Sequence, residues 1–269
     1  MLESILNFRE VDKSPYLTFV WAFLITNIAI ILSTQLFYKI EIGSISFNLS
    51  GIFAVMFTII PSVYFFTMVI KREEKMEEDA ICKHYKKGFW GRHERDMMIF
   101  LFFFLGVTAA FSIWAFFLKP NFFQVQLTEI QKVRASVSGN AIMKGSFGSF
   151  LGVTFNNLQV MLFAFIFSVL FGAGAVFILV WNASILGVYI GELSKSVFEI
   201  PLVTLQFLPH GIPEVVGYLC AGLAGGLFSA AILRCHKSQV LVKIFIDSMI
   251  ILAVGVGFIL MAALIEVYL

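Results

Sequence analysis

Charge is scarce in this sequence. Only 13% of its 269 residues are Asp, Glu, Lys or Arg, about half the share found in a typical soluble domain. The 19 basic and 17 acidic residues nearly cancel, so no field of one sign is left to hold a polyanion, and nucleic acid is not an expected partner. Cysteine is rarer still. Cys82, Cys220 and Cys235 form no CxxC pair, which leaves neither a disulfide framework nor a zinc-ribbon spacing. The signatures HExxH, GxSxG and GxxxxGK[ST] are absent as well, so zinc-protease, hydrolase-elbow and P-loop chemistry have no residues to stand on. No catalytic residue and no enzymatic activity are expected.

Apolar side chains fill the place of charge. The chain is 59% hydrophobic with 32 Phe, and its mean hydropathy is +0.92. A bilayer core about 30 Å thick takes roughly 20 apolar residues of helix, because every backbone N–H and C=O must be satisfied within the segment. Runs of that length occur at 17–38, 49–70, 97–118, 158–181 and 241–268. The first is too long, and lacks the cleavage site, for a signal peptide. Residues 183–233 are too long for one helix, and Glu192, Lys195, Glu199, Pro201, Pro209, Gly211 and Pro213 interrupt them. They read as a broken element over 183–208 and a regular one over 213–233. The expected fold is all-α: a polytopic transmembrane helix bundle of about seven segments, one of them broken or re-entrant.

The organisation that follows is a two-helix membrane segment over 1–70, a charged link over 71–96, a membrane core over 97–233 and a C-terminal membrane helix over 234–269. With the N-terminus inside, loops holding two, eight and three Lys or Arg fall on the cytoplasmic side and six such residues fall outside. That matches the positive-inside bias and places the C-terminus outside. In the link, KREEKMEED sets opposite charges at helical neighbour spacings, as a solvated helix or a docking surface for a soluble partner would. Outside, Phe122, Phe123, Val125, Ile130 and Val133 suggest an amphipathic helix followed by a loop.

Polar side chains inside membrane segments are costly, so each is a candidate for function. Pro209, His210, Gly211, Pro213 and Glu214 form the densest group. Proline suits a first helical turn and a carboxylate suits the positive end of the helix dipole, so the group reads as a helix start. His210 and Glu214 are four apart, a spacing that on a continuous helix presents imidazole and carboxylate on one face. They read first as a structural hydrogen-bonded pair, then as candidate metal ligands, for which two are too few and Glu192 and Glu199 are the residues available to complete a set, and last as a proton or ion relay. No cofactor other than such a metal is expected. Asn156 and Asn157 at one boundary of the fourth run, and Asn182 at the other, read as helix caps or interhelical contacts. The spacing of Gly187 with Gly191, and of Gly222 with Gly226, lets backbones approach closely, within the bundle or across a homodimer.

The stretch FNNLQVMLFAFIFSVLFGAGAVFILVWNASILGVYIG, followed by FLPHGIPEVVGYLCAGLAGGLF, resembles the stage II sporulation protein M family of prokaryotic integral membrane proteins. Asn156 and Asn157, Gly172 and Gly174, Asn182, and Pro209, His210, Gly211 and Glu214 carry the resemblance, over about 97–233; Ala183 stands where the family usually has Gly. The resemblance implies a multi-pass protein of the cytoplasmic membrane. Its namesake is a scaffold that holds peptidoglycan-degrading partners at the septum during engulfment. A scaffold that recruits membrane or soluble protein partners is therefore the first expectation. A transporter or channel using the broken element with His210 and Glu214 is the second, and an intramembrane metal-dependent hydrolase the third.

Overall fold

The computed structural model describes residues 14–35, 39–42, 45–83, 89–139, 146–233 and 238–269. Of the charges used to orient the chain, Arg9, Lys13, Lys86, Lys87, Lys144, Arg234 and Lys237 lie outside the described residues. Helices run α1 Leu17–Gln35, α2 Ser50–Lys83, α3 Phe89–Phe117, α4 Gln124–Gly139, α5 Phe147–Phe171, α6 Ala175–Leu193, α7 Ile200–Leu233 and α8 Ser238–Tyr268. An antiparallel hairpin, β1 Lys39–Ile42 with β2 Ile45–Asn48, joins α1 to α2 and pairs Lys39 with Asn48. Seven of the helices are long and apolar enough to cross a membrane. The expected helical membrane fold is therefore present, with the small hairpin added.

The boundaries differ in two places. The fourth span is Phe147–Phe171 rather than 158–181. Its true cap is Ser146, whose hydroxyl accepts a hydrogen bond from the Ser149 N–H at 3.1 Å. Asn156 and Asn157 thus sit inside α5, and Asn182 inside α6, so none of the three caps a helix. Amides lower the hydropathy as a helix edge does, yet a membrane helix accommodates uncharged amides that turn toward protein, as buried Asn157 does. The chain breaks instead at Gly172–Gly174, where Gly172 takes φ 67°, a conformation open to glycine at little steric cost. Ser168 Oγ then accepts from the Ala175 N–H at 2.9 Å and starts α6.

The second difference concerns the interruption expected over 183–208. It lies at Ser194–Ser196 and separates two complete helices, α6 and α7, so it joins spans and does not break one. The Glu199 carboxylate accepts from the Lys195 N–H at 3.0 Å and closes the turn. Pro209 and Pro213, expected at a helix start, fall in the interior of α7. Each removes one helical donor, leaving the carbonyls of Leu205 and Pro209 without their i+4 partners. Membrane helices tolerate such proline because the surrounding protein contains the damage.

The residues gather into two compact units: Met1–Pro61, Leu101–Met143 and Val180–Leu208 in one, and Ser62–Phe100, Lys144–Leu179 and Pro209–Leu269 in the other. In the first unit, Trp114 Nε1 donates to Asn27 Oδ1 at 2.7 Å and ties α3 to α1. The face of α4 formed by Gln126 and Ile130, with Phe122 and Phe123 just ahead of it, is buried. Gln126 Nε2 donates to the Gly51 carbonyl at 3.0 Å. The expected helix is therefore present, with Phe122, Phe123 and Ile130 buried and Val125 half-buried, while the side chain of Val133 lies outside the described residues. Gly187 and Gly191 let α6 meet α3: a methyl group on Gly187 would lie 2.6 Å from the Thr108 carbonyl oxygen, and one on Gly191 2.5 Å from that of Ser112.

In the second unit, Phe66 of α2 stacks on Phe100 of α3 with ring centroids 4.2 Å apart. Below that stack, Arg72 and the fully buried Asp96 form an ion pair. A methyl on Gly222 would lie 2.5 Å from Ala175 Cβ, and one on Gly225 2.5 Å from the Phe165 carbonyl oxygen. Gly226 sits against Ile70 and Gly172. The glycines of α6 and α7 thus serve mainly α3, α5 and α2, and only Gly222 joins the fifth and sixth spans to each other.

Candidate polar site in the membrane core

Because α7 runs unbroken through its two prolines, His210, Glu214 and Tyr218 fall at i, i+4 and i+8 on one face. His210 and Glu214 are half-buried and Tyr218 is buried. The Tyr218 hydroxyl donates to Glu214 Oε1 at 2.5 Å. In hydrocarbon, a carboxylate with such a donor loses less than a bare one, since part of its hydration is replaced.

The register of the neighbouring helices is fixed by glycine. A methyl on Gly217 of α7 would lie 2.7 Å from the Ile259 side chain and 3.1 Å from the Gly255 carbonyl oxygen. Gly255 of α8 in turn faces Cys220 of α7 and Met161 of α5. Counting outward from this three-helix junction along the same faces leads to Glu214 and His210 on α7, to Ala262 and Glu266 on α8, and to Asn157 and Thr154 on α5. Glu266 is within electrostatic reach of both Glu214 and His210. It belongs to the last turn of α8 and keeps an exposed side. Asn157 and Thr154 are 4% and 7% exposed, and Asn157 Nδ2 and Thr154 Oγ1 have no hydrogen-bond partner. Asn156 Nδ2 donates to Asn157 Oδ1 at 3.2 Å.

His210 and Glu214 therefore share a helix face as their spacing allowed, and Gly211 beside them has no atom within 4 Å of where a methyl would stand. Glu192, exposed, and Glu199, already holding the Lys195 N–H, belong to the first unit, as does half-buried Asn182. Among the described residues no three His, Cys, Asp or Glu side chains converge as a metal ion requires. Tyr218 and Glu266 are members of the site that the sequence reading passed over. Tyr218 was visible four residues after Glu214, and Glu266 as a carboxylate in an otherwise apolar final run.

The stage II sporulation protein M family model matches residues 98–269. This chain belongs to that family. The matched region runs past Leu233 to the C-terminus, so α8, expected to lie beyond the resemblance, is part of the family region, and all three helices of the polar site fall inside it. An uncharacterized protein of Methanocaldococcus jannaschii is 30% identical over 101 residues, which are 38% of this chain and 56% of that relative. The chain thus spans little more than half of the relative's length. No solved structure matches.

Proposed function

We propose that this member of the stage II sporulation protein M family is a multi-pass scaffold of the cytoplasmic membrane that recruits partner proteins. The observation that carries the reading is the extension of α2 and α3 beyond their membrane portions. The span of α2 ends at Arg72 while the helix continues to Lys83, and α3 begins at Phe89, ahead of a span that starts at Glu94. At 1.5 Å per residue the α2 extension reaches about 16 Å past the bilayer edge. The ion pair of half-buried Arg72 with buried Asp96 joins α2 to α3 where the α2 span ends, and the sequence beyond it is rich in charge of both signs, which suits docking of a soluble partner. No catalytic step and no cofactor enter the proposal; membrane lipid, protein partners and a second copy of the chain are its partners.

The test uses full-length protein carrying photo-crosslinkers at Glu74 and Glu78, compared with a variant in which Glu73, Glu74, Glu77 and Glu78 are all lysine. A discrete adduct that disappears on charge reversal, with the size-exclusion profile unchanged, is the expected result. Crosslinks identical in both proteins, or absent from both, would remove the scaffold reading.

A further inference from the structure

We propose that Glu214 and Glu266 form an exchangeable-proton site in the membrane core of the second unit, with His210 and Tyr218 as its partners. The inference is independent of the scaffold reading and rests on four observations. Two carboxylates lie along the faces of α7 and α8 that meet where Gly217 packs against Gly255 and Ile259, within electrostatic reach of each other. One already accepts a tyrosine hydroxyl at 2.5 Å. The other is exposed in the last turn of its span and within electrostatic reach of His210. The α5 face at the same height carries Asn157 and Thr154, more than nine-tenths buried, each with a polar atom that lacks a partner.

A second negative charge within electrostatic reach of a carboxylate in a membrane span disfavours the doubly charged state, and taking up a positive charge relieves it. No three His, Cys, Asp or Glu side chains converge among the described residues as a zinc-type site requires. The proton needs only one carboxylate oxygen. On binding, an O–H bond forms on Glu214 or Glu266, the pair loses one negative charge, and the proton comes from water and returns to it. Glu266, at the end of α8, gives the exchange its aqueous side, while Glu214, held by Tyr218, is the inner member. Asn157 Nδ2 and the Thr154 hydroxyl, buried and without a partner on the α5 face, are the donors available to the charged state. The Pro209 carbonyl, without its helical donor, is an acceptor beside the imidazole.

The titratable and charged groups facing the pair are few. Among the described residues the α7 helix offers His210, Tyr218 and Cys220, α5 offers uncharged amides and hydroxyls, and α8 adds the Tyr268 side chain at this end. Asp247 and Lys243 of α8, and Arg72, Glu94, Arg95 and Asp96 of α2 and α3, belong to the opposite ends of their spans.

The deciding measurement is infrared difference spectroscopy of full-length protein in lipid nanodiscs, stepped in pH with sodium held constant. The expected result is a protonated-carboxyl band that rises and falls reversibly with pH, is lost in Glu214→Gln or Glu266→Gln, and changes frequency in Tyr218→Phe, which removes only the hydroxyl. Should the glutamine variants fail to fold, the wild-type titration and the Tyr218→Phe shift decide alone. No pH-dependent carboxyl band in folded protein, or a band untouched by every one of these substitutions, overturns the proposal. A band that follows sodium at fixed pH and ignores pH also overturns it, in favour of a metal cation.

Discussion

Asp96 is fully buried and forms an ion pair with half-buried Arg72. A buried carboxylate left without its cation keeps its desolvation penalty and loses the attraction that offset it. Arg72→Met is therefore expected to lower stability by about 3 kcal/mol. The double variant Arg72→Met with Asp96→Leu should recover most of the loss, because both charges then leave the apolar setting together. Thermal unfolding in detergent by circular dichroism checks both, and a double variant no more stable than the single one would contradict the argument. Gly211 makes the opposite case. It lies in the helix interior with open space around it, so Gly211→Ala is expected to be neutral or to stabilise by about 0.5–1 kcal/mol. A large loss in the same melt would mean that the open space is occupied in the membrane.

At the scale of elements, the close crossings depend on glycine where backbone approaches backbone. Gly187→Ala and Gly191→Ala each push a methyl into an α3 carbonyl and should cost about 1–3 kcal/mol. Gly257→Ala, with nothing within 4 Å, serves as the neutral control in the same unfolding series. These partners show how far the sequence was legible. Seven apolar runs were countable because lipid enforces helix length, and the small-residue spacing marked α6 and α7 as tightly packed. Which helix each glycine meets depends on rotation and register, which spacing does not record. The α5 boundary was displaced for a related reason: Gly, Ser, Thr and Asn over 146–157 lower the hydropathy without stopping a helix, whereas Gly172–Gly174 stop one without lowering it. Proline misled in the same way, since in water Pro209 and Pro213 would mark an end, and α7 passes through both. His210 with Glu214 was legible from spacing alone, but Glu266 joins them through the packing of α8 on α7.

For the whole molecule, seven crossings make the orientation a single binary property. With basic residues concentrated in the links after the second and sixth spans, those links are expected to face the cytoplasm. The turn containing Ser196, between the fifth and sixth spans, then faces outward. The native cysteines make this testable with few changes. Cys82 and Cys235 lie in the inward links by sequence, and Cys220 is buried in α7. A membrane-impermeant maleimide should therefore leave the wild-type protein unlabelled in intact cells and label it once the cells are opened. Ser196→Cys should add labelling in intact cells, and Leu269→Cys should do the same at the C-terminus. Labelling of the wild type before the cells are opened, together with a silent Ser196→Cys, would invert the orientation and put the extensions of α2 and α3 on the outer side. A scaffold would then have to draw its partners from outside the cell, so this experiment also decides which compartment is searched for them.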